Sequence, residues 1–207
     1  MTWNDITLRK WTEIESIYKK KYEDEILQTA DIISVVFEIE NPMELSPAEF
    51  SKYVEQMSFL TKPIPEKKLC NSYTINGTLY NFKGNIYEIS MGALMDWRHY
   101  STEENLDYAQ CLTVFMIPDG HKYDDGYDMD KTLNDINSLP IGDVLKLFTF
   151  FQAALQLSMD ILLNYFNKLL KKTKLTKEEK VKIQNKIKEL QEISDLTFSP
   201  MPSVTAK

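Results

Sequence analysis

The side chains best suited to chemistry are five aspartates in a polar loop that follows Pro118. They are Asp119, Asp124, Asp125, Asp128 and Asp130. Hard cations bind several carboxylate oxygens at once, so this loop is the best candidate for a metal site. The spacing does not fit an EF-hand, because Gly126 at the sixth position would place His121 first and Thr132 twelfth. We therefore expect a solvated loop, and we predict no cofactor.

Other candidate catalytic residues lack the neighbours that their chemistry requires. His99 and His121 are the only histidines, and neither belongs to an HExxH motif. Ser90 follows a predicted strand and precedes a predicted helix, but the first glycine of a GxSxG turn is missing. Cys70 and Cys111 have no metal-binding or disulfide spacing. The sequence predicts that the protein is not an enzyme, and an enzyme with a metal site in the acidic loop remains the alternative.

The hydrophobic pattern predicts a mainly α chain with a small antiparallel β-hairpin or meander, an α+β fold. A first helix is expected to start near Thr7 and to bury Leu8, Trp11, Ile14 and Tyr18. Further helices are expected over about 24–38, from Ser46 to about 60, from 91 to about 99, and from Ser101 to near Pro118. Between two alternating segments, Asn76 and Gly77 predict a type I′ turn, because both turn positions need positive φ. Residues 86–89 are expected to supply a third strand.

One long apolar helix, at about residues 143–172, is expected to form the centre of a helical bundle. Its polar residues recur every three or four positions in one narrow stripe, so we expect it to be covered on most sides. Any apolar surface left over would favour oligomerisation. Asp160 would cost about 3 kcal/mol near a bilayer centre, and Gln152, Gln156 and Asn164 add to this cost, against a gain of only about 4 kcal/mol from all the Leu, Ile and Phe residues of 147–165. We predict a soluble core helix, and the N-terminus, which lacks a signal-peptide pattern, predicts cytoplasmic synthesis.

The sequence divides into a helical domain at 1–172, with the hairpin region at 72–89, and a basic C-terminal helical arm and extended tail at 173–207. The arm helix is expected to start at a capping box formed by Thr176 and Glu179. Residues 168–192 hold nine lysines against four glutamates, net +5, whereas residues 1–167 hold 14 basic and 26 acidic side chains, net −12. This asymmetry favours contact between the arm and an acidic protein surface, either this body or another copy, over nucleic acid. The candidate interaction residues are Asn76, Gly77, Lys174, Lys177, Lys182, Ile183, Lys186, Ile187 and Leu190.

Four segments resemble a family of tailed-phage proteins: ITLRKWTEI at 6–14, the hairpin with Ile75, Asn76, Gly77 and Tyr80, IYEISMGALMD at 86–96, and IPDG at 117–120. Across about residues 5–166 the chain is similar to virion and tail-assembly proteins of Bacteroidetes-infecting, crAss-like phages. The resemblance implies a non-enzymatic virion structural or cargo protein of the portal and tail region. It implies contacts with other virion proteins or with copies of itself, and location in the virion and in the host cytoplasm during assembly. The alternative is a tail-assembly chaperone absent from the mature virion.

Overall fold

The computed structural model describes residues 1–82, 90–101, 106–123, 125–171 and 175–197. These ranges form eight α-helices and one three-stranded antiparallel sheet, which confirms the predicted α+β class. The helices are α1 (Leu8–Lys19), α2 (Glu25–Phe37), α3 (Pro47–Gln56), α4 (Met91–Tyr100), α5 (Tyr108–Thr113), α6 (Met129–Asn137), α7 (Ile141–Leu170) and α8 (Lys177–Thr197). The strands are β1 (Ser72–Ile75), β2 (Thr78–Phe82) and β3 (Met116–Pro118).

Hydroxyl side chains begin three of the predicted helices. Thr7 precedes α1 and accepts from the backbone N–H of Lys10, and Ser90 precedes α4 and accepts from Ala93. Ser46 forms a full capping box before α3. These caps confirm the predicted starts, because each satisfies backbone donors that have no partner within the first turn.

The inward face of α1 differs at one position from the expected face. Leu8, Trp11 and Ile14 are buried as predicted, but Tyr18 is 48% exposed and Ile17 is buried in its place. Ile17 lies three residues after Ile14 and continues the spacing of Leu8, Trp11 and Ile14; at about 100° per residue each such step rotates the buried row by about 60° around the helix. The prediction for Tyr18 is therefore wrong, because the helix buries the residue at the shorter of the two allowed spacings.

The β1–β2 hairpin has the predicted type I′ turn. Asn76 and Gly77 both have positive φ, at 47° and 79°, and Ile75 lies opposite Thr78 in the register. An added Cβ at Gly77 would meet no atom, so the backbone conformation rather than space calls for glycine there. The alternation also holds, since Ile75 and Tyr80 are buried on one face while Leu79 is exposed on the other.

The third strand differs from the sequence prediction. Met116–Pro118 pairs with β2, placing Ile117 opposite Asn81, although these residues were expected to end a helix. The helix there is only α5, which ends at Thr113. The predicted strand at 86–89 and most of the predicted helix start at 101–104 lie outside the described residues. Strand pairing with β2 is a contact distant in sequence, and local hydrophobic spacing could not reveal it.

The short helix α6 was not predicted, because its first two residues fall in the segment 119–130 that was interpreted as a polar loop. Asp128 accepts from the backbone N–H of Lys131 and caps the helix. Thr132, Asp135 and Ile136 form its buried face. One aspartate of the candidate metal loop therefore has a structural role as a helix cap.

The core surrounds the first half of α7. Val144, Leu147, Phe148 and Phe151 are at most 1% exposed. The rings of Phe115 and Phe151 stack with centroids 3.7 Å apart, and Tyr108 packs edge-on against Phe148 at 5.0 Å. Aromatic pairs of this kind add to the energy gained by burying their area.

Two backbone hydrogen bonds connect the start of α1 to the start of α7. Leu8 donates to the carbonyl of Leu139, and Ile141 donates to the carbonyl of Ile6, each at 2.8 Å. Thr7 and Pro140 thus face each other in a short antiparallel bridge. The bridge holds the N-terminal segment against the helix around which the core is built.

A buried carboxylate, that of Asp135 on α6, connects the hairpin to the helices. It is 3% exposed and accepts hydrogen bonds from the Asn76 amide at 2.8 Å, the Tyr80 hydroxyl at 2.6 Å and the Lys131 ammonium at 2.7 Å. Lys131 also donates to the Thr78 hydroxyl at 2.6 Å. The turn and the second strand of the hairpin are both attached to α6 through this one side chain.

The hydrogen bonds determine the charge state of Asp135. Burial alone would raise the pKa of its carboxyl, but the donors Lys131, Tyr80 and Asn76 outweigh burial and hold the pKa below its ordinary value. The charged form is therefore the form that the fold requires. Because the folded-state pKa is lowered, this stabilisation is present above the unfolded pKa of about 3.9 and is lost as the pH falls through the folded value.

We expect Asp135→Asn to lower the free energy of unfolding by about 3 kcal/mol at neutral pH, because the amide cannot accept all three donors and the ion pair is lost. Urea denaturation followed by circular dichroism measures the change. Asp125→Asn makes the same change of charge on an exposed loop residue and should shift stability by less than about 0.5 kcal/mol. The difference between wild type and Asp135→Asn should shrink below about pH 4; a constant difference down to pH 2 would contradict this account.

Candidate interaction surface

The second half of α7 has an exposed apolar face. Beyond Phe151, the exposed fractions of Leu157, Ile161, Leu162 and Tyr165 are 62%, 48%, 38% and 57%. These four residues are called the apolar stripe below. Three of them, Leu157, Ile161 and Tyr165, are four residues apart and form one row along the helix. The prediction that the long helix is covered on most sides is correct for its first half and wrong for its second, because the body of the protein ends before the helix does.

The arm helix α8 folds back along α7 and covers a different face of it. Ile187 is 9% exposed and Ile183 is half-buried, as are Leu163 and Phe166 of α7. The ammonium of Lys186 lies over the ring of Phe166, 5.9 Å from its centroid. The arm therefore packs on its own chain, and α7 and α8 form a helical hairpin.

The start of α8 has the capping box expected from its sequence. Thr176 donates from its backbone and hydroxyl to the carboxylate of Glu179 at 2.8 and 2.9 Å, and Glu179 N–H donates back to the hydroxyl at 3.2 Å. The bonds from Thr176, backbone first, and the charge of Lys182 hold the pKa of Glu179 below its ordinary value. These bonds determine where the chain turns from the connection into α8.

The candidate interaction residues fall into two places. Asn76 and Gly77 form the hairpin turn, and the Asn76 amide is bonded to Asp135 of α6. On α8, Lys177, Lys182 and Lys186 are exposed, while Ile183 and Ile187 face α7. Lys174 and the side chain of Leu190 lie outside the described part of the structure. The structure therefore assigns the two isoleucines to an intramolecular contact and leaves the lysines on the surface.

The members of the apolar stripe were not among the sequence-predicted interaction residues. Their apolar character was visible, but the same pattern occurs in the buried half of the helix, so it predicted burial. No change in residue type along the sequence indicates where the rest of the protein stops covering α7. In the structure, the covered half ends at Phe151 and Leu155, which are 0% and 7% exposed and lie at the edge of the core.

The acidic loop shows no arrangement of carboxylates for a cation in the part of it that is described. Asp119 accepts from the Asn81 amide and Asp128 caps α6, while Asp124 is outside the described residues. Among the described residues, no three His, Cys, Asp or Glu side chains are grouped so that they could hold a metal ion. His121 packs edge-on against Tyr127, with ring centroids 5.7 Å apart.

In the described ranges, α7 is the one helix whose length and composition would allow it to cross a membrane. Its first half, however, is enclosed by the core at Val144, Leu147 and Phe151. The second half has polar side chains along one side, including the exposed Asp160 and Asn164. The first half of α7 is therefore part of the core of the protein.

Comparison with known proteins adds no relative. No family model, no curated protein and no solved structure matches the chain. The resemblance to tailed-phage proteins, and the function it implies, therefore stay predictions.

We expect Ile187→Ala to loosen the arm without unfolding the body, because Ile187 is the α8 side chain most deeply buried against α7 among those described. Loss of about 2 kcal/mol of packing would raise hydrogen exchange roughly 30-fold in α8 and in the second half of α7. Exchange measured by mass spectrometry should stay unchanged in α1. Gln184→Ala, an exposed position of the same helix, is the matched control. An equal increase in exchange throughout the chain would show instead that the arm and the body unfold together.

Proposed function

We propose that this protein is a non-enzymatic component of a tailed-phage particle, in the portal and tail region, and that it acts through protein–protein contacts made by the α7–α8 hairpin. The proposal places it in the virion, and in the host cytoplasm during assembly. Its partners are other virion proteins or copies of itself.

The exposed apolar stripe is the observation that carries the proposal. Taking on the order of 200 Å² for each fully exposed large apolar residue, its four side chains present about 400 Å² on one helix face. The largest apolar patch on a typical monomer is about 300–600 Å² and is often functional, whereas apolar residues scattered singly on a surface are ordinary. The neighbouring arm adds exposed lysines, which suit an acidic partner.

The phage setting is supported by the resemblance of residues 5–166 to virion and tail-assembly proteins. The elements that carry this resemblance and are described in the structure are scaffold elements: the start of α1, the β1–β2 hairpin, α4 and the end of β3. These elements shape the fold and contain no catalytic motif, which agrees with a role in contacts rather than in catalysis.

We expect quantitative mass spectrometry of purified particles of the phage that encodes this chain to detect it at a fixed number of copies per particle. Detection in infected-cell lysates but not in particles would contradict the virion role and would favour a tail-assembly chaperone. The replacements Leu157→Glu and Tyr165→Glu together should exclude the protein from particles while leaving its circular dichroism unchanged, because both side chains are mostly exposed.

Met95→Glu is the matched control for these replacements. Met95 is 67% exposed on α4, away from the apolar stripe, and its replacement introduces a charge at an equally accessible apolar position. Incorporation of the control into particles, together with exclusion of the stripe variant, would assign the contact to the α7 face. Equal incorporation of both variants would show that the apolar stripe does not form the contact with the particle.

A further inference from the structure

We propose that the apolar stripe of α7 binds the same stripe of a second copy, so that two α7–α8 hairpins form an antiparallel four-helix bundle with a two-fold axis near Ile161. The inference rests on the proposed function, in which this face is a protein contact, and it names the partner. It follows from the position of the stripe, from the charge at the hairpin tip and from the exposed area.

The apolar stripe is centred on Ile161, midway between Leu157 and Tyr165. Leu155, which is 7% exposed and is the last buried residue in the described part of α7, lies six residues before Ile161, or about 9 Å along the helix, and Lys171 lies ten residues after it, or about 15 Å. In an antiparallel pair centred at Ile161, the tip of each hairpin therefore reaches past Leu155 and lies beside the body of the other copy. In this arrangement Leu157 lies opposite Tyr165 of the second copy, and the same contact occurs twice, as a two-fold interface requires.

Charge favours a second copy over an unrelated partner. The tip of the hairpin has exposed lysines at 168, 171, 177 and 180 and exposed glutamates at 178 and 179, so these six side chains have a net charge of +2. The body, residues 1–151, has 14 basic and 25 acidic side chains, net −11. Along α7 the tip is about 30 Å from Phe151, which is several times the screening length of about 8 Å in physiological salt, so the tip gains little from its own body. In the antiparallel dimer each basic tip lies beside the acidic body of the other copy.

The apolar area of the two stripes is about half of the total area that a typical specific interface buries. Each stripe offers about 400 Å² of apolar surface, so two copies remove about 800 Å² from water before the polar rim is included. Flanking residues such as Asn164 and Lys168, together with the tip-to-body contacts, would bring the total towards the roughly 1,200–2,000 Å² of a specific interface. A bilayer suits the stripe less well, because insertion would bring Asp160 and Asn164, which are exposed on the same half of the helix, into the hydrocarbon.

Light scattering coupled to size-exclusion chromatography of the full chain tests the inference. We expect a dimer of twice the 24.2 kDa chain mass for wild type and for Met95→Glu, and a monomer for Ile161→Glu. Circular dichroism should show that all three remain folded, because Ile161 and Met95 are both exposed. Raising the salt from about 0.05 to 0.5 M should weaken the dimer roughly 10-fold, because the tip-to-body attraction is screened.

A cysteine replacement locates the axis. In a Cys70→Ser background, where the remaining Cys111 is buried, oxidation of Ile161→Cys should yield a disulfide-linked dimer. A residue beside a two-fold axis meets its own copy, whereas a head-to-tail contact would not bring the two positions together. Met95→Cys in the same background should stay monomeric on a denaturing gel, and equal cross-linking of both variants would overturn the assigned axis.

Three results would overturn the inference. The first is a wild-type monomer at concentrations up to about 100 µM. The second is a dimer that Ile161→Glu leaves intact. The third is a monomer that floats with phosphatidylglycerol vesicles and loses this binding in Ile161→Glu. If the wild type is a monomer but stripe variants are still excluded from particles, the proposed function stands and only self-association fails. If the protein forms the dimer but is absent from particles, self-association stands and the proposed virion role fails.

Discussion

The hydrogen-bonded carboxylate of Asp135 is the interaction on which the joining of sheet and helices depends. A hairpin of this size is marginal alone, and this one is attached to α6 at its turn by Asn76 and along its second strand by Tyr80. A buried charge is tolerated because every donor around it is directed at its two oxygens, with Lys131 supplying the opposite charge. The attached strand β2 in turn provides the edge on which β3 pairs. Strand β3 comes shortly after α5, the helix that packs on α7.

This arrangement decides which surfaces remain available. The hairpin turn is occupied by its bonds to α6, and the first half of α7 is enclosed by aromatic side chains, including Phe115 and Tyr108. The arm, which the charge pattern left open to contact in cis or in trans, covers one face of α7 through Ile183 and Ile187. The exposed apolar residues of the second half of α7, rather than the central hairpin, are therefore the basis of the proposed interaction surface.

Local features were predictable from the sequence, and contacts distant in sequence were not. Thr7, Ser46, Ser90 and Thr176 each cap a helix, and Asn76-Gly77 forms the expected turn, because these residues act on backbone groups within a few positions of themselves. The pairing of β3 with β2 and the attachment of the hairpin to Asp135 were missed, since the paired strand residues and the donors Asn76 and Tyr80 are 34 or more residues away in sequence. The exposed face of α7 was missed for a related reason: residue spacing indicates which side of a helix is apolar but not how far the covering body extends.

The pattern of α7 itself argues that its exposed face has a partner. The polar residues continue as one narrow stripe past Phe151 to the end of the helix, at Gln156, Asp160, Asn164 and Lys168. A helix end that only projected into water would gain from polar residues on all of its sides, because an exposed Leu157 or Tyr165 brings no packing energy and promotes nonspecific association. α8 accounts for the apolar residues that face it, such as Leu163 and Phe166, but not for the row on the other side. Since one apolar pattern continues through a covered half and an exposed half, the simplest physical reason is that both halves are covered when the protein works.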